Sequence, residues 1–291
     1  MPPSLSNRRM VAEMATVPAR PFTLLLLPVV LVVAAPFIAS LTLVTAFGFA
    51  GNGSKGFEVW VRFLTDPFSW TVISKTLWLA ARVTFFCVLV GYPVAFALHQ
   101  LRSPLLRGIA FTILFTPLLM SVIVRAYGWI VLLSNNGLVN SMFGLLGVGP
   151  FRLVLNEFGA TIAMVHVMLP FAVLPLLSSI NQMPSGGVEA ARDLGARPIQ
   201  VFLRVVFPLT LPGVLSAIEI VFALAASAFV TPSILGGGRV LTLPRLVYDN
   251  IGSLDWSLAA VQSLTLLGVT VAVLTGIRQF GRLFRHEGTH R

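Results

Sequence analysis

The chain is predicted to be an all-α integral membrane protein with six transmembrane helices, on three observations. Hydrophobic residues fill 56% of the 291 positions and charged residues only 10%, against about 25% charged in an ordinary soluble domain. The apolar residues gather in six blocks, each near the roughly 20 residues needed to cross a bilayer. The polar segments between the blocks alternate between basic and near neutral, as in a chain threaded back and forth with its arginines held on one side.

The elements follow in order. Residues 1–21 are polar and carry Arg8, Arg9 and Arg20. A basic start before an apolar run is also the form of a secretory signal. The run over 22–47 is too long for a signal's apolar core, so it reads as a retained first span. A mixed loop with Lys55, Glu58, Arg62 and Asp66 precedes the second span, 76–98, which has Arg82 near its start. The short turn His99–Arg107 leads into the third span, 108–133. A loop rich in Asn and Gly, 134–158, separates it from the fourth, 159–180. The polar segment 184–208 comes next, then the fifth span, 209–230, another loop, and the sixth span, 257–280, with a basic tail at 281–291. Pro93, Pro117, Pro170 and Pro175 inside spans predict kinked helices packed on neighbours.

Charge sets the expected orientation. With the N-terminus inside, the inner segments hold Arg8, Arg9, Arg20, Arg102, Arg107, Arg192, Arg197, Arg204, Arg278, Arg282, Arg285 and Arg291, twelve of the twenty Lys and Arg. The outer loops hold Lys55, Arg62, Lys75, Arg152, Arg239 and Arg245, offset by Glu58, Asp66, Glu157, Asp249 and Asp255. Both termini and the segment 184–208 are therefore expected in the cytoplasm. This topology accounts for the net charge of +10. It leaves no basic domain outside the membrane for nucleic acid, so lipid is the expected surround and nucleic acid is excluded. Cys87, the single cysteine, excludes disulfides and thiolate metal sites within the chain. It reads as a small buried hydrophobe.

The segment "VEAARDLGARPIQVFLRVVFPLTLPGVLSA", 188–217, has an unusual density of charge for its setting. Its pattern is helix, break, helix. Glu189 to Asp193 suit a helix, with the glutamate near the end the dipole favours. Gly195 interrupts, and Pro198 fits the first turn of a second helix. Phe202 and Val206 share one face, and Pro208 and Pro212 mark re-entry to the bilayer. The small residues Ala190, Ala191 and Gly195 let another surface approach, and Asp193 and Arg197 beside them give it orientation. Composition alone leaves two readings open: a docking helix for another protein, or an amphipathic helix lying on lipid headgroups.

The string Glu189-Ala190-Ala191, three residues, Gly195, six residues, Phe202 and then Pro208 resembles the EAA signature of ABC importer permeases. The stretches "GYPVAFAL" (91–98), "RAYGWIVLLSNNGLVN" (125–140), "MLPFAVLPLLSSI" (168–180) and "FVTPSILGG" (229–237) are similar to the spermidine/putrescine branch of that family. The resemblance implies a type I ABC importer permease fold. In that family Glu189, Ala190, Ala191, Asp193, Gly195, Arg197 and Phe202 would form the segment that couples the chain to a separate ATPase. It further implies a second homologous permease subunit, two ATPase subunits carrying ATP and Mg, a periplasmic substrate-binding protein, and the inner membrane as location. The chain itself would bind no cofactor and would not be an enzyme. Ala228 and Ser233 stand where many polyamine-type members carry acidic residues. Substrate thus stays open between polyamines and other small organic ions, among them amino-acid derivatives, opines and phosphonates.

No residues here are suited to ATP hydrolysis. "GNGSKG" (51–56) lacks the G-x-x-x-x-G-K-[ST] spacing at a helix start that a phosphate loop needs. Ionisable residues inside spans are functional candidates because burying them is costly. Glu219 reads either as a carboxylate on the path of a cationic substrate or as the partner of an arginine. Arg125, with Tyr127, Trp129, Phe229 and Thr231, is expected to shape the outer part of the path, and Arg125 alternatively snorkels. His166 reads as a packing residue. The rival classes are an ion-coupled transporter using Glu219 and His166 as a proton relay, and an intramembrane enzyme. The second would need paired polar groups at one depth, which the sequence does not show.

Overall fold

The computed structural model describes residues 20–50 and 56–287. The expected polar tails before Arg20 and after Glu287, and the turn 51–55, lie outside the described residues. Every regular element among those described is helical, the form in which an apolar segment satisfies its own backbone.

Helix α1 is Arg20–Ala50, α2 Gly56–Thr65, α3 Pro67–Gln100, α4 Pro104–Leu119, α5 Val122–Leu133 and α6 Leu138–Leu145. Then come α7 Glu157–Asn181, α8 Ser185–Asp193 and α9 Pro198–Val201. A π-turn over Phe202–Val206 joins α9 to α10, Phe207–Ser227. Helices α11 Val230–Leu235, α12 Leu243–Gly252 and α13 Trp256–Glu287 complete the chain. Among the described residues six helical segments are long and apolar enough to cross a membrane: Val30–Phe49, Pro67–Gln100, Val122–Leu145, Glu157–Asn181, Pro198–Ser227 and Trp256–Gly281.

The bundle is centred on α3, α7 and α10. Their contact is built from small residues, Ala80, Ala95, Ala172, Ala217, Ala225 and Ala226, all essentially buried. Between membrane helices, small side chains replace hydrophobic drive with close backbone approach. At the α7–α10 crossing a Cβ on Gly213 would lie 2.4 Å from Cβ of Ser179 and 2.7 Å from the carbonyl of Pro175, so only glycine fits there. Helices α1 and α13 pack outside this core.

Three regions differ from the expected spans. The helix of the second span, α3, begins at Pro67, not at 76, because Asp66 caps it by accepting from the N–H of Phe68 at 3.1 Å, with proline in its first turn. Arg82 therefore sits well inside α3 and pairs at 2.8 Å with Glu157, the first residue of α7. The part of α3 before Arg82 rises about 20 Å past the start of α7. There Phe63, Val72, Ile73, Leu243 and Val261 form a separate small core with α2, α12 and the head of α13. Thr76 accepts from the N–H of Leu243 at 2.8 Å and anchors the start of α12 to α3.

The block expected as one span over 108–133 is broken. Helix α4 ends at Leu119, Met120 and Ser121 are extended, and α5 begins at Val122. Finally, the loops expected at 51–75, 134–158 and 231–256 contain the helices α2, α6, α11 and α12.

Candidate functional site

The segment 184–208 folds as helix, glycine joint, helix. Gly195 has φ +79°, the left-handed region that glycine enters without strain. The N–H of Ala196 then reaches back to the carbonyl of Ala191 at 3.1 Å and closes the end of α8. Arg197 caps α9, its N–H donating to Oε1 of Gln200 at 2.9 Å, with Pro198 in the first turn. The chain then runs without interruption from Pro198 to Ser227 as a single helix carrying the π-turn. Pro208 accounts for that turn. Its ring would clash with the carbonyl four residues back and it has no N–H to give. The helix widens ahead of it, and the N–H of Phe207 bonds the carbonyl of Phe202.

The outward surface of this segment combines charge and grease. Glu189, Ala190, Asp193, Gly195 and Arg197 are exposed, and Ala191 is half-buried. Glu189, Asp193, Arg197 and Arg204 form no ion pair among the described residues. Beside them Leu194 is 88% exposed, with Ile199 and Leu203 also exposed. Sequence reasoning missed these three leucine and isoleucine side chains. The available signal was an apolar residue directly before a helix-ending glycine, inside an otherwise polar helix. Phe202, expected on the docking face, is instead turned toward the bundle. Its ring meets Tyr92 edge-on at 5.5 Å.

Of the residues expected along a substrate path, Arg125, Tyr127 and Trp129 lie on α5, which packs on α11, the helix of Thr231, while Glu219 lies within α10. Arg125 is buried. Its guanidinium donates to the carbonyl of Pro117 and approaches that of Met120, acceptors freed where α4 ends. Trp129 lies half-buried in a cluster with Ala126, Leu133, Ala160, Ala163 and Leu235. Its ring stands edge-on to His166 at 5.4 Å. Tyr127 points the other way and is exposed. Phe229 stacks on Tyr248 at 5.1 Å, and Thr231 is half-buried in α11.

Glu219 takes its arginine partner from the same chain. Its Oε2 accepts from Nε of Arg278 at 2.9 Å and from its terminal nitrogen at 2.8 Å. Arg278 lies on α13 with its side chain exposed, and reaches Glu219, the less exposed partner. Gly281 packs on Leu215, which places the Glu219–Arg278 pair further along α10, toward the level of the middle of α7. No carboxylate pairs with His166 among the described residues, so a Glu219–His166 proton relay is not assembled.

Asn140, in the quoted stretch 125–140, proves structural. It is buried and donates to the carbonyls of Ser134 and Phe151 at 2.9 and 3.0 Å while accepting from the N–H of Phe151 at 2.9 Å. A cleft of about 830 Å³ opens at the α12 end beside Glu58, Arg62, Asp66, Asn250, Asp255 and Gln262. Two of its carboxylates serve as helix caps, Asp66 for α3 and Asp255 for the N–H of Leu258.

A bundle of six membrane-crossing segments, with an exposed two-helix segment wedged between the fourth and fifth, is the architecture of a transport permease. A profile of the family described as "Binding-protein-dependent transport system inner membrane component" matches residues 87–280, and the chain belongs to that family. It is 33% identical over 206 residues to the "Spermidine/putrescine transport system permease protein PotB" of Escherichia coli (strain K12), covering 70% of this chain and 74% of that protein. The protein of the same description from Haemophilus influenzae is 32% identical over 211 residues, with 72% of each chain covered. Among solved structures, a bacterial alginate ABC transporter in complex with its alginate pentasaccharide-bound periplasmic protein matches with a TM-score of 0.75 at 16% identity, over 91% of this chain and 94% of that one. The MetNI methionine ABC transporter in an inward-facing form matches at 0.53 and 20% identity, over 76% and 98%. The chain is an ABC importer permease: such subunits translocate substrate and are not themselves enzymes.

Proposed function

We propose that this chain is one of two permease subunits of an ATP-driven importer that carries a polyamine-class cation across the bacterial inner membrane. The substrate would be received from a periplasmic binding protein. Residues 184–208 would face the cytoplasm, as would both chain ends, and dock one of two ATPase subunits that hold ATP and Mg. The observation that carries this reading is the surface of α8 and α9. There, exposed Leu194, Ile199 and Leu203 stand among the charges of Glu189, Asp193, Arg197 and Arg204. Apolar anchors ringed by charge suit a protein partner, because the anchors supply energy and the charges supply orientation.

The polyamine assignment rests on the relatives from Escherichia coli and Haemophilus influenzae, whose printed descriptions name spermidine and putrescine. Alternating access would then follow from motor closure acting on the segment and, through it, on α10. The test is uptake of labelled putrescine and spermidine by proteoliposomes holding the permease pair, ATPase and binding protein. ATP-dependent uptake supports the proposal. Uptake driven by an ion gradient without ATP would refute it, and ATP-dependent uptake of another organic ion would refute the substrate class alone.

A further inference from the structure

The π-turn that begins at Phe202, widened ahead of Pro208, is met by a side chain of α3. That side chain is Tyr92, near the α8 end of α3. Its ring meets that of Phe202 at 5.5 Å and 85°, and that of Phe207 at 6.5 Å. Its hydroxyl lies 2.8 Å from Oγ1 of Thr210, a fully buried residue one turn into α10. Thr210 lies 2.9 Å from the carbonyl of Val206, the last residue of the π-turn. A threonine hydroxyl has a single proton. When that proton goes to Val206, Tyr92 must be the donor to Thr210, and the three groups form a directed chain from α3 into the turn.

We infer that Tyr92 and Thr210 are positioning residues for coupling: they clamp the docking segment to α3, so that a pull on α8 and α9 is delivered to α3 as well as to α10. This goes beyond the proposed function and rests on it, since it presumes a motor pulling on the segment. The helix from Pro198 to Ser227 passes motion to α10 by continuity alone. Helix α10 also packs on α3 in the bundle core, and the aromatic contact with its hydrogen-bonded core adds a link at the turn itself, where α8 also packs. With the clamp open, the π-turn that Pro208 fixes meets α3 through ring contacts alone, and less of the segment's motion reaches α3 at this point.

The test is the number of substrate molecules imported per ATP hydrolysed in the reconstituted complex. Y92F keeps the ring and removes the hydroxyl; T210V removes the relay; T210S keeps it. Y92F and T210V are expected to assemble and hydrolyse ATP, with the transport-to-hydrolysis ratio falling about three- to tenfold, the size set by one hydrogen bond. T210S should restore the wild-type ratio. An unchanged ratio in Y92F and T210V overturns the inference. So does loss of assembly in both, which would make the contact purely structural. Absence of ATP-dependent uptake by the wild-type complex would instead remove the proposed function, so the two failures are distinguishable.

Discussion

Replacing Gly195 isolates the backbone requirement of the segment 184–208. Its φ of +79° lies in the left-handed region, and a Cβ placed there meets nothing within 4 Å. Crowding therefore contributes nothing, and the whole penalty is conformational. A residue with a Cβ gives up about 1–2 kcal/mol in this region, with asparagine paying least. Relaxing out of the region would break the bond from Ala196 N–H to Ala191 that closes α8. If a motor must dock on the formed joint, that penalty appears as a drop of about 5- to 30-fold in the docking-competent fraction, and apparent affinity falls in proportion. The assay is titration of the ATPase subunit onto the permease pair in nanodiscs. Affinity should fall in the order glycine, asparagine, alanine, valine, with the protein still inserted and folded. Equal binding by Gly195→Ala, Gly195→Val and the wild type would refute the reasoning.

Two further predictions test the bundle. Arg278→Gln should lower assembly and thermal stability more than Glu219→Gln, because it leaves the less exposed partner, Glu219, as an uncompensated carboxylate inside the helix bundle. The exchanged double variant should recover much of the loss, while a drop in cation uptake confined to Glu219→Gln would return Glu219 to the substrate path. Asn140→Leu leaves the N–H and carbonyl of Phe151 without their side-chain partner, a loss of about 1–3 kcal/mol. It should lower the unfolding midpoint of the purified protein by several degrees, and an unchanged midpoint would count against a structural role for Asn140.

Much of this was legible in the sequence because it depends on local pattern. Apolar blocks must become helices in a bilayer, and the glycine and proline of 184–208 punctuate that segment as they would anywhere. The small residues Ala190 and Ala191 and the charges around them suited either a docking helix or a helix on lipid headgroups, and only the family resemblance chose between them. What escaped was long-range or compensatory. Pro117 was visible as a kink, but the break after Leu119 is held by the guanidinium of Arg125, whose target is a set of carbonyls and leaves no sequence trace. Pro208 read only as a bilayer re-entry mark, whereas the helix passes it intact by widening into a π-turn. The pairing of Glu219 with Arg278 depends on how α10 and α13 face each other. The helices at the α12 end hid in mixed polarity, although Asp66 followed by Pro67 is a helix-start signal.

The account stands most directly on where Leu194 faces. With Cys87, which is buried, replaced by alanine, Leu194→Cys provides a single reporter at the tip of the docking segment. In sealed vesicles of known orientation, the account predicts that this thiol is reached by a membrane-impermeant maleimide only from the cytoplasmic side, and that bound ATPase subunit shields it and cross-links to it. Labelling from the periplasmic side, or full labelling with the ATPase subunit bound, would contradict it.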